Sequence, residues 1–229
     1  MSDGKHFTLY SHVGGPNGWK VVLALEILGL TYETVYLDFK TGEQKAPGHT
    51  KFNPNGRIPT IIDHKNDDFV LWESNAILLY LVEKYDTDHK ISVTDGNDKF
   101  AQLQWLYFQA SGQGPYYGQL GWFTDYHPEK VPSAIERYTN ETLRILGVLD
   151  SVLSKRTWLV ADKLTIADLS FVPWNELALT RVLTEEHGHN IDKDFPALYK
   201  WHSAMMAMEP VRKTFETRKA LFAASKRKE

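Results

Sequence analysis

Asn17 stands in SHVGGPNGWK, residues 11–20, where three glycines and a proline separate the apolar runs Phe7–Tyr10 and Val21–Leu28. An amide in the first turn of a helix can act in two ways. It can cap the helix by accepting its early N–H groups, or it can donate a hydrogen bond to an anion held at the positive end of the helix dipole. Glu73-Ser74 opens the amphipathic stretch ESNAILLYLVEK and offers a similar choice. Both residues can simply complement the helix terminus. Alternatively the carboxylate can take an ammonium while the hydroxyl and the first N–H groups take a carboxylate. Ile58-Pro59 opens a short apolar run, and proline at the head of a strand points to an edge or to a cis bond. Arg57 precedes that pair, and Gln44-Lys45 lie in the polar run GEQKAP. The chain has no cysteine. A thiol nucleophile, a disulfide framework and a thiolate metal site are therefore excluded, and sulfur chemistry would need a sulfur carried in by a ligand. The histidines are scattered; His187 and His189 read as solvated loop, so no metal is expected.

The elements that must position these residues alternate in type over the first 85 positions. Phe7–Tyr10 reads as a buried strand, residues 17–29 as a helix ended by Gly29, and Tyr32–Asp38 as a second strand. Lys40–Asn55 is polar and shows no period. Pro59–Asp63 and Phe69–Leu71 read as two strands joined by the turn HKNDD, followed by a helix over Glu73–Lys84. The order is βαβ, loop, ββα, which combines parallel and antiparallel pairing in one small sheet. Residues 87–98 read as a polar linker. Beyond them, segments 99–113, 130–155, 166–183 and 195–208 carry helical spacing, with a last helix after Pro210. The expected fold is α/β plus all-α: a βαβ–ββα domain at 1–86, the linker at 87–98 and a helical bundle at 99–229.

Composition narrows the partners. The chain is 229 residues long, 42% hydrophobic and 24% charged, with a formal net charge of −3. That balance gives no support to nucleic acid or an anionic membrane as a partner. The terminal Lys226-Arg227-Lys228 reads as a solvated helix end. No apolar run reaches the length of a membrane span, and MSDGKH has no signal core, so a cytoplasmic location is expected.

The βαβ–ββα order followed by helices, with Ile-Pro before the third strand, resembles the glutathione transferase superfamily. The runs TLYSHVGGPNGWKV, LDFKTGEQKAP, NPNGRIPTIIDH and WESNAILLYL are similar to its fungal nitrogen-regulator-like and bacterial Nu-class branches. AIERYTNET, WLVADKLTIADLSFVPWN and YKWHSAMM extend the likeness over the whole chain. The resemblance implies a thioredoxin-like N-terminal domain followed by a helical bundle, with glutathione as co-substrate and no metal. It implies a cis Ile58-Pro59 whose backbone pairs with the cysteinyl unit as an added strand. Glu73 and Ser74 would hold the γ-glutamyl group, and Gln44, with Lys45, the glycyl end. Arg57 would tie down the turn or meet a carboxylate, and Arg137 in AIERY would be a glutathione contact or a surface ion pair. Thr165 to Asp168 reads as a capping-box pattern and as structural only.

For the thiol itself, the resemblance selects Asn17. A free thiol has a pKa of about 8.5, and lowering it by roughly two units takes about 2.7 kcal/mol. A charge-assisted hydrogen bond supplies about 1.5–3 kcal/mol, and a helix N-terminus about 0.3–1 more. Asn17 is thus the expected catalytic residue, acting as a donor, with the glycines letting the backbone approach the ligand. Ser11 is the alternative, and Tyr10 reads as core. Nu-class relatives often carry a threonine two positions before the asparagine, where this chain has Gly15. The run FQASGQGPYYG at 108–118, with three glycines, is expected to break a helix and open a wall of the second-substrate pocket lined by Phe108 and Tyr116; a kinked core helix is the other reading. The function implied is reduction of disulfides or peroxides, with conjugation to electrophiles alongside, in a homodimer. A regulatory binding module and a carrier of hydrophobic ligands are the alternatives.

Overall fold

The computed structural model describes residues 4–226; Met1 to Asp3 of the N-terminal stretch, and Arg227 and Lys228 of the basic run, lie outside the described residues. In chain order the elements are β1 (Phe7–Ser11), α1 (Pro16–Leu28), β2 (Tyr32–Tyr36), α2 (Pro47–Thr50), β3 (Thr60–Asp63), β4 (Phe69–Trp72) and α3 (Ser74–Tyr85). There follow α4 (Gly96–Phe108), α5 (Gly114–Gly121), α6 (Pro132–Leu153), α7 (Ile166–Arg181), α8 (Ile191–Asp194), α9 (Pro196–Ala207) and α10 (Glu209–Lys226). Two compact units result: one built from the chain up to Ser92 together with the chain from Ala207 onward, the other from Val93 to Met206.

The first unit is a four-stranded sheet in the order β2-β1-β3-β4. β1 pairs parallel with β2 and antiparallel with β3, which pairs antiparallel with β4. Leu9 lies opposite both Thr34 and Ile61. The side chains of a strand alternate between faces, so Phe7, Leu9 and Ser11 share the face that α1 covers, while Tyr10 stacks its ring near His49 and Phe52 on the other. The core is Phe7, Leu9, Val21, Leu23, Leu25, Ile61, Ile77, Leu78 and Leu81, all with no exposed surface. The βαβ–ββα order expected from the residue pattern, and the thioredoxin-like fold that the resemblance implies, are the ones observed. β2 ends at Tyr36 rather than Asp38, although Leu37 still donates to the Ser11 carbonyl (2.9 Å).

Two boundaries differ from expectation. The stretch read as a linker is divided between the units: up to Ser92 it belongs to the first, where Asp86 accepts from the Lys90 and Ile91 amides (2.7 and 2.9 Å) and Ile91 is buried, and from Val93 it belongs to the second, with α4 starting at Gly96. The last helix also belongs with that unit rather than with the helical bundle. α10 packs on α1, with Val211 and Thr214 buried and Arg218 Nη2 donating to the Gly14 carbonyl (3.3 Å). Its apolar positions looked like those of any bundle helix, and periodicity carries no information about which partner covers them.

The helical unit buries Ile145, Leu146, Leu149, Leu169, Phe171, Val172 and Leu198 completely. α7 begins at a capping box in which Thr165 and Asp168 each take a backbone N–H of the other's turn. The glycine-rich run at 108–118 does not break the helix, contrary to expectation. Residues Gln109–Gln113 form one π turn between α4 and α5. Buried Gln109 and Gln113 bond each other across it (3.0 Å), and Gln113 reaches Asn175 on α7 (2.7 Å). The wider turn absorbs an extra residue without loss of the helical path.

Candidate functional site

Six of the residues singled out for chemistry meet in one cleft. Asn17, Asn53, Asn55, Arg57, Ile58, Pro59, Glu73 and Ser74 line a cleft of about 320 Å³. Three element starts build it. α1 enters at Gly15, its N-cap, which makes no side-chain capping bond; Pro16 occupies the first turn, where its missing N–H is no loss. Asn17 is therefore inside the helix rather than its cap, and it lines the cleft. The second start is that of β3, preceded by the cis Ile58–Pro59 bond. The third is that of α3, whose N-cap Glu73 holds φ at 73°. A non-glycine residue in that region carries backbone strain of about 1–3 kcal/mol, retained where the surroundings impose it. No side chain caps α3, so the amides of its first turn are left for other acceptors.

The glycines of the turn serve packing between these starts more than an approach to a ligand. A Cβ on Gly18 would overlap the Ser11 hydroxyl, and one on Gly15 would stand 3.0 Å from Ile58 Cδ1. The same contact locates Ser11: it is 2% exposed, seated under Gly18, and absent from the cleft wall. Tyr10 is likewise outside that wall.

Sequence reasoning missed the residues that hold the cleft's floor. Asn53 donates to the Arg57 carbonyl (2.9 Å) and to Thr60 Oγ1 (3.0 Å), and accepts from the Asn55 amide (3.0 Å). It is this amide that ties the turn down, while the Arg57 side chain lines the cleft. His49 adds a bond from Nε2 to Thr60 Oγ1 (3.2 Å) and one from Nδ1 to the Gln44 carbonyl (3.1 Å). Gln44 and Lys45 stand behind the wall. Lys45 Nζ donates to the Asn55 carbonyl (2.9 Å), and the Gln44 side-chain oxygen is buried with no partner, an unsatisfied acceptor beside the cleft.

Lys20 was also missed. It lies one turn after Asn17, 2% exposed, with Nζ donating to Ser74 Oγ (3.2 Å) and approaching Asn75 Oδ1 (3.5 Å). Burial pushes its pKa down to about 7, against the opposing pull of the Glu73 carboxylate. A lysine inside the apolar run WKVVLAL was the available signal.

The remaining expected residues lie in the helical unit. Phe108 joins the ring cluster of Trp105 and Phe171, and Tyr116 faces Tyr138. Arg137 is exposed on α6 in a shallow depression with Ser133, Glu136, Asn140 and Glu141. Among the described residues no group of histidines and carboxylates could hold a metal ion, and no helix is long and apolar enough to cross a membrane.

Comparison with known proteins finds matches along most of the chain. The family model for the glutathione S-transferase N-terminal domain matches residues 5–83, and that for the C-terminal domain matches residues 115–209. Glutathione S-transferase 2 of Schizosaccharomyces pombe is 52% identical over 219 residues, covering 92% of this chain and 95% of its own. The crystal structure of the glutathione transferase URE2P6 from Phanerochaete chrysosporium in complex with oxidized glutathione superimposes with a TM-score of 0.92 at 60% identity, covering 96% of this chain and 99% of that one. The transcriptional regulator URE2 of Saccharomyces cerevisiae is 40% identical over 235 residues, covering 87% of this chain and 65% of its own length.

Proposed function

The chain belongs to the glutathione S-transferase family, and on that premise we propose that it binds glutathione in the cleft and reduces disulfides and peroxides with it, with conjugation to electrophilic carbon as a lesser activity. The observation that carries this reading is the meeting of Asn17, Arg57, Ile58, Pro59, Glu73 and Ser74 in one cleft. Their chemistry fits the tripeptide's charges. The Glu73 carboxylate pairs with the γ-glutamyl ammonium, and Ser74 with the uncapped amides of α3 takes the α-carboxylate. The Ile58 backbone serves the cysteinyl unit, and Gln44 and Arg57 the glycyl end. Asn17, in the first turn of α1, donates to the sulfur and favours its thiolate. Glutathione supplies the nucleophilic sulfur that this cysteine-free chain lacks; two molecules give two electrons, so that a disulfide leaves as two thiols and glutathione leaves as its own disulfide. Arg137 is assigned to glutathione, Phe108 and Tyr116 to the second substrate's side, and the assembly to a homodimer in the cytoplasm.

Glutathione-dependent turnover of hydroxyethyl disulfide, with an aryl halide conjugation assay in parallel, tests the proposal. Disulfide turnover well above conjugation supports it. Conjugation alone would make the chain a transferase without the reductase preference. Glutathione binding without turnover in either assay would favour a regulatory module, the reading that the likeness to the URE2 regulator supports.

A further inference from the structure

We propose that Lys20 is a positioning residue for glutathione, a buried cation that orients the Ser74 hydroxyl toward the ligand's α-carboxylate and supplies that carboxylate with positive charge from behind. The inference rests on the glutathione-binding reading of the cleft. Ser74 Oγ accepts from Lys20 Nζ (3.2 Å), and Ser74 is itself buried at the cleft wall. A hydroxyl has one hydrogen to give and two acceptor sites. With an acceptor site filled from below by Lys20, its hydrogen is left for the cleft, where an anion is the partner. Lys20 also reaches Asn75 Oδ1 (3.5 Å), the next residue of α3, so one side chain anchors the start of α3 to α1 a single turn beyond Asn17. The thiol site and the carboxylate site are thereby held at a fixed spacing.

Of the elements packed on α1, α3 brings Glu73, whose carboxylate acts on the ammonium. α10 brings Arg218, whose guanidinium is engaged at the Gly14 carbonyl. On this face β1 presents Phe7, Leu9 and the Ser11 hydroxyl. Arg57 shares the cleft. Because burial holds Lys20 near neutrality at about pH 7, an arriving carboxylate would draw a proton onto it, and binding would be linked to proton uptake.

S-methylglutathione, which has no thiol to ionise, isolates the effect. Its Kd is measured by calorimetry from pH 6 to 8 for the wild type, Lys20→Met and Ser74→Ala, each in two buffers of different ionisation heat. For the wild type, the Kd is expected to rise about fivefold between pH 6 and 8, the change that a one-unit rise of a pKa near 7 produces across that window, with net proton uptake at pH 7. Lys20→Met is expected to bind about tenfold more weakly at pH 6, with no pH dependence and no uptake. A Lys20→Met protein that binds as the wild type does at pH 6 and keeps its pH profile overturns the proposal. So does a wild type that takes up no proton, a result that stands even if the variant fails to fold. A wild type that does not bind S-methylglutathione at all would instead bring down the reading of the cleft.

Discussion

The starts of α3 and α7 solve the same problem in opposite ways. Both leave backbone N–H groups without intrahelical partners. At α7 the chain supplies its own acceptors: Thr165 Oγ1 takes the Ala167 amide (3.2 Å), and Asp168 takes the Thr165 amide and hydroxyl (2.9 and 3.0 Å). Asp168 also accepts from the Leu159 amide (2.9 Å) and Trp201 Nε1 (3.0 Å). Its carboxyl is lifted above the usual range by burial, against four donors that favour its charge. At α3 no side chain caps the helix, Glu73 adopts a left-handed φ, and the buried cation Lys20 stands behind Ser74. A helix start that its own sequence fills is part of the scaffold; one left open, strained and backed by a buried lysine is, on the function proposed above, the seat of the ligand's carboxylate.

If that contrast is right, the largest stability loss comes from the closed start. Asp168→Ala orphans four buried donors and is expected to lower stability by about 3–5 kcal/mol, read from the urea midpoint. The open start should answer in binding instead. Glu73→Gln is expected to weaken glutathione binding about 10–150-fold, the equivalent of one charge-assisted hydrogen bond of about 1.5–3 kcal/mol, with a small change in stability. Glu73→Gly sharpens the point: relief of the φ of 73° should raise stability by about 1 kcal/mol while binding is lost as in Glu73→Gln. Calorimetry and urea unfolding of the two variants separate strain from recognition.

A smaller effect concerns pH. Burial lowers the Lys20 pKa from 10.5 to about 7, so between those values the unfolded chain holds a proton that the folded chain has released. Stability therefore rises with pH across that window, by at most about 1.4 kcal/mol per pH unit from this group. Lys20→Met should flatten the rise between pH 7 and 9. An unchanged slope would mean that the lysine is charged in the folded state throughout.

The same contrast explains what could be read from the residues alone. Elements with an apolar stripe or an alternating run were legible, because burial imposes a period on the sequence: β1, β3 and the helices α1, α3, α6 and α7 all fell within a few residues of expectation. The segment from Lys40 to Asn55 was not. It holds a 3₁₀ turn at Glu43–Lys45 and the short helix α2, but single polar side chains, His49 and Asn53, fasten it, and single contacts have no period. At the cleft, Asn17, Arg57, Ile58, Pro59, Glu73 and Ser74 were named because each sits beside a turn or a helix start. Lys20 escaped notice because its role depends on α3 lying against α1, a long-range contact. The burial of Ser11 under Gly18 likewise depends on packing between β1 and α1, which has no local signal.

The most direct test of the central claim is the ionisation of the bound thiol. Thiolate absorbance of the glutathione complex, followed against pH for the wild type, Asn17→Ala and Ser11→Ala, reads it without turnover. The wild type is expected to hold the thiol about two units below its free value of about 8.5. Asn17→Ala should move it back by at least about one unit, and Ser11→Ala should leave it in place. A thiol as acidic in Asn17→Ala as in the wild type would contradict the account and remove Asn17 from the chemistry.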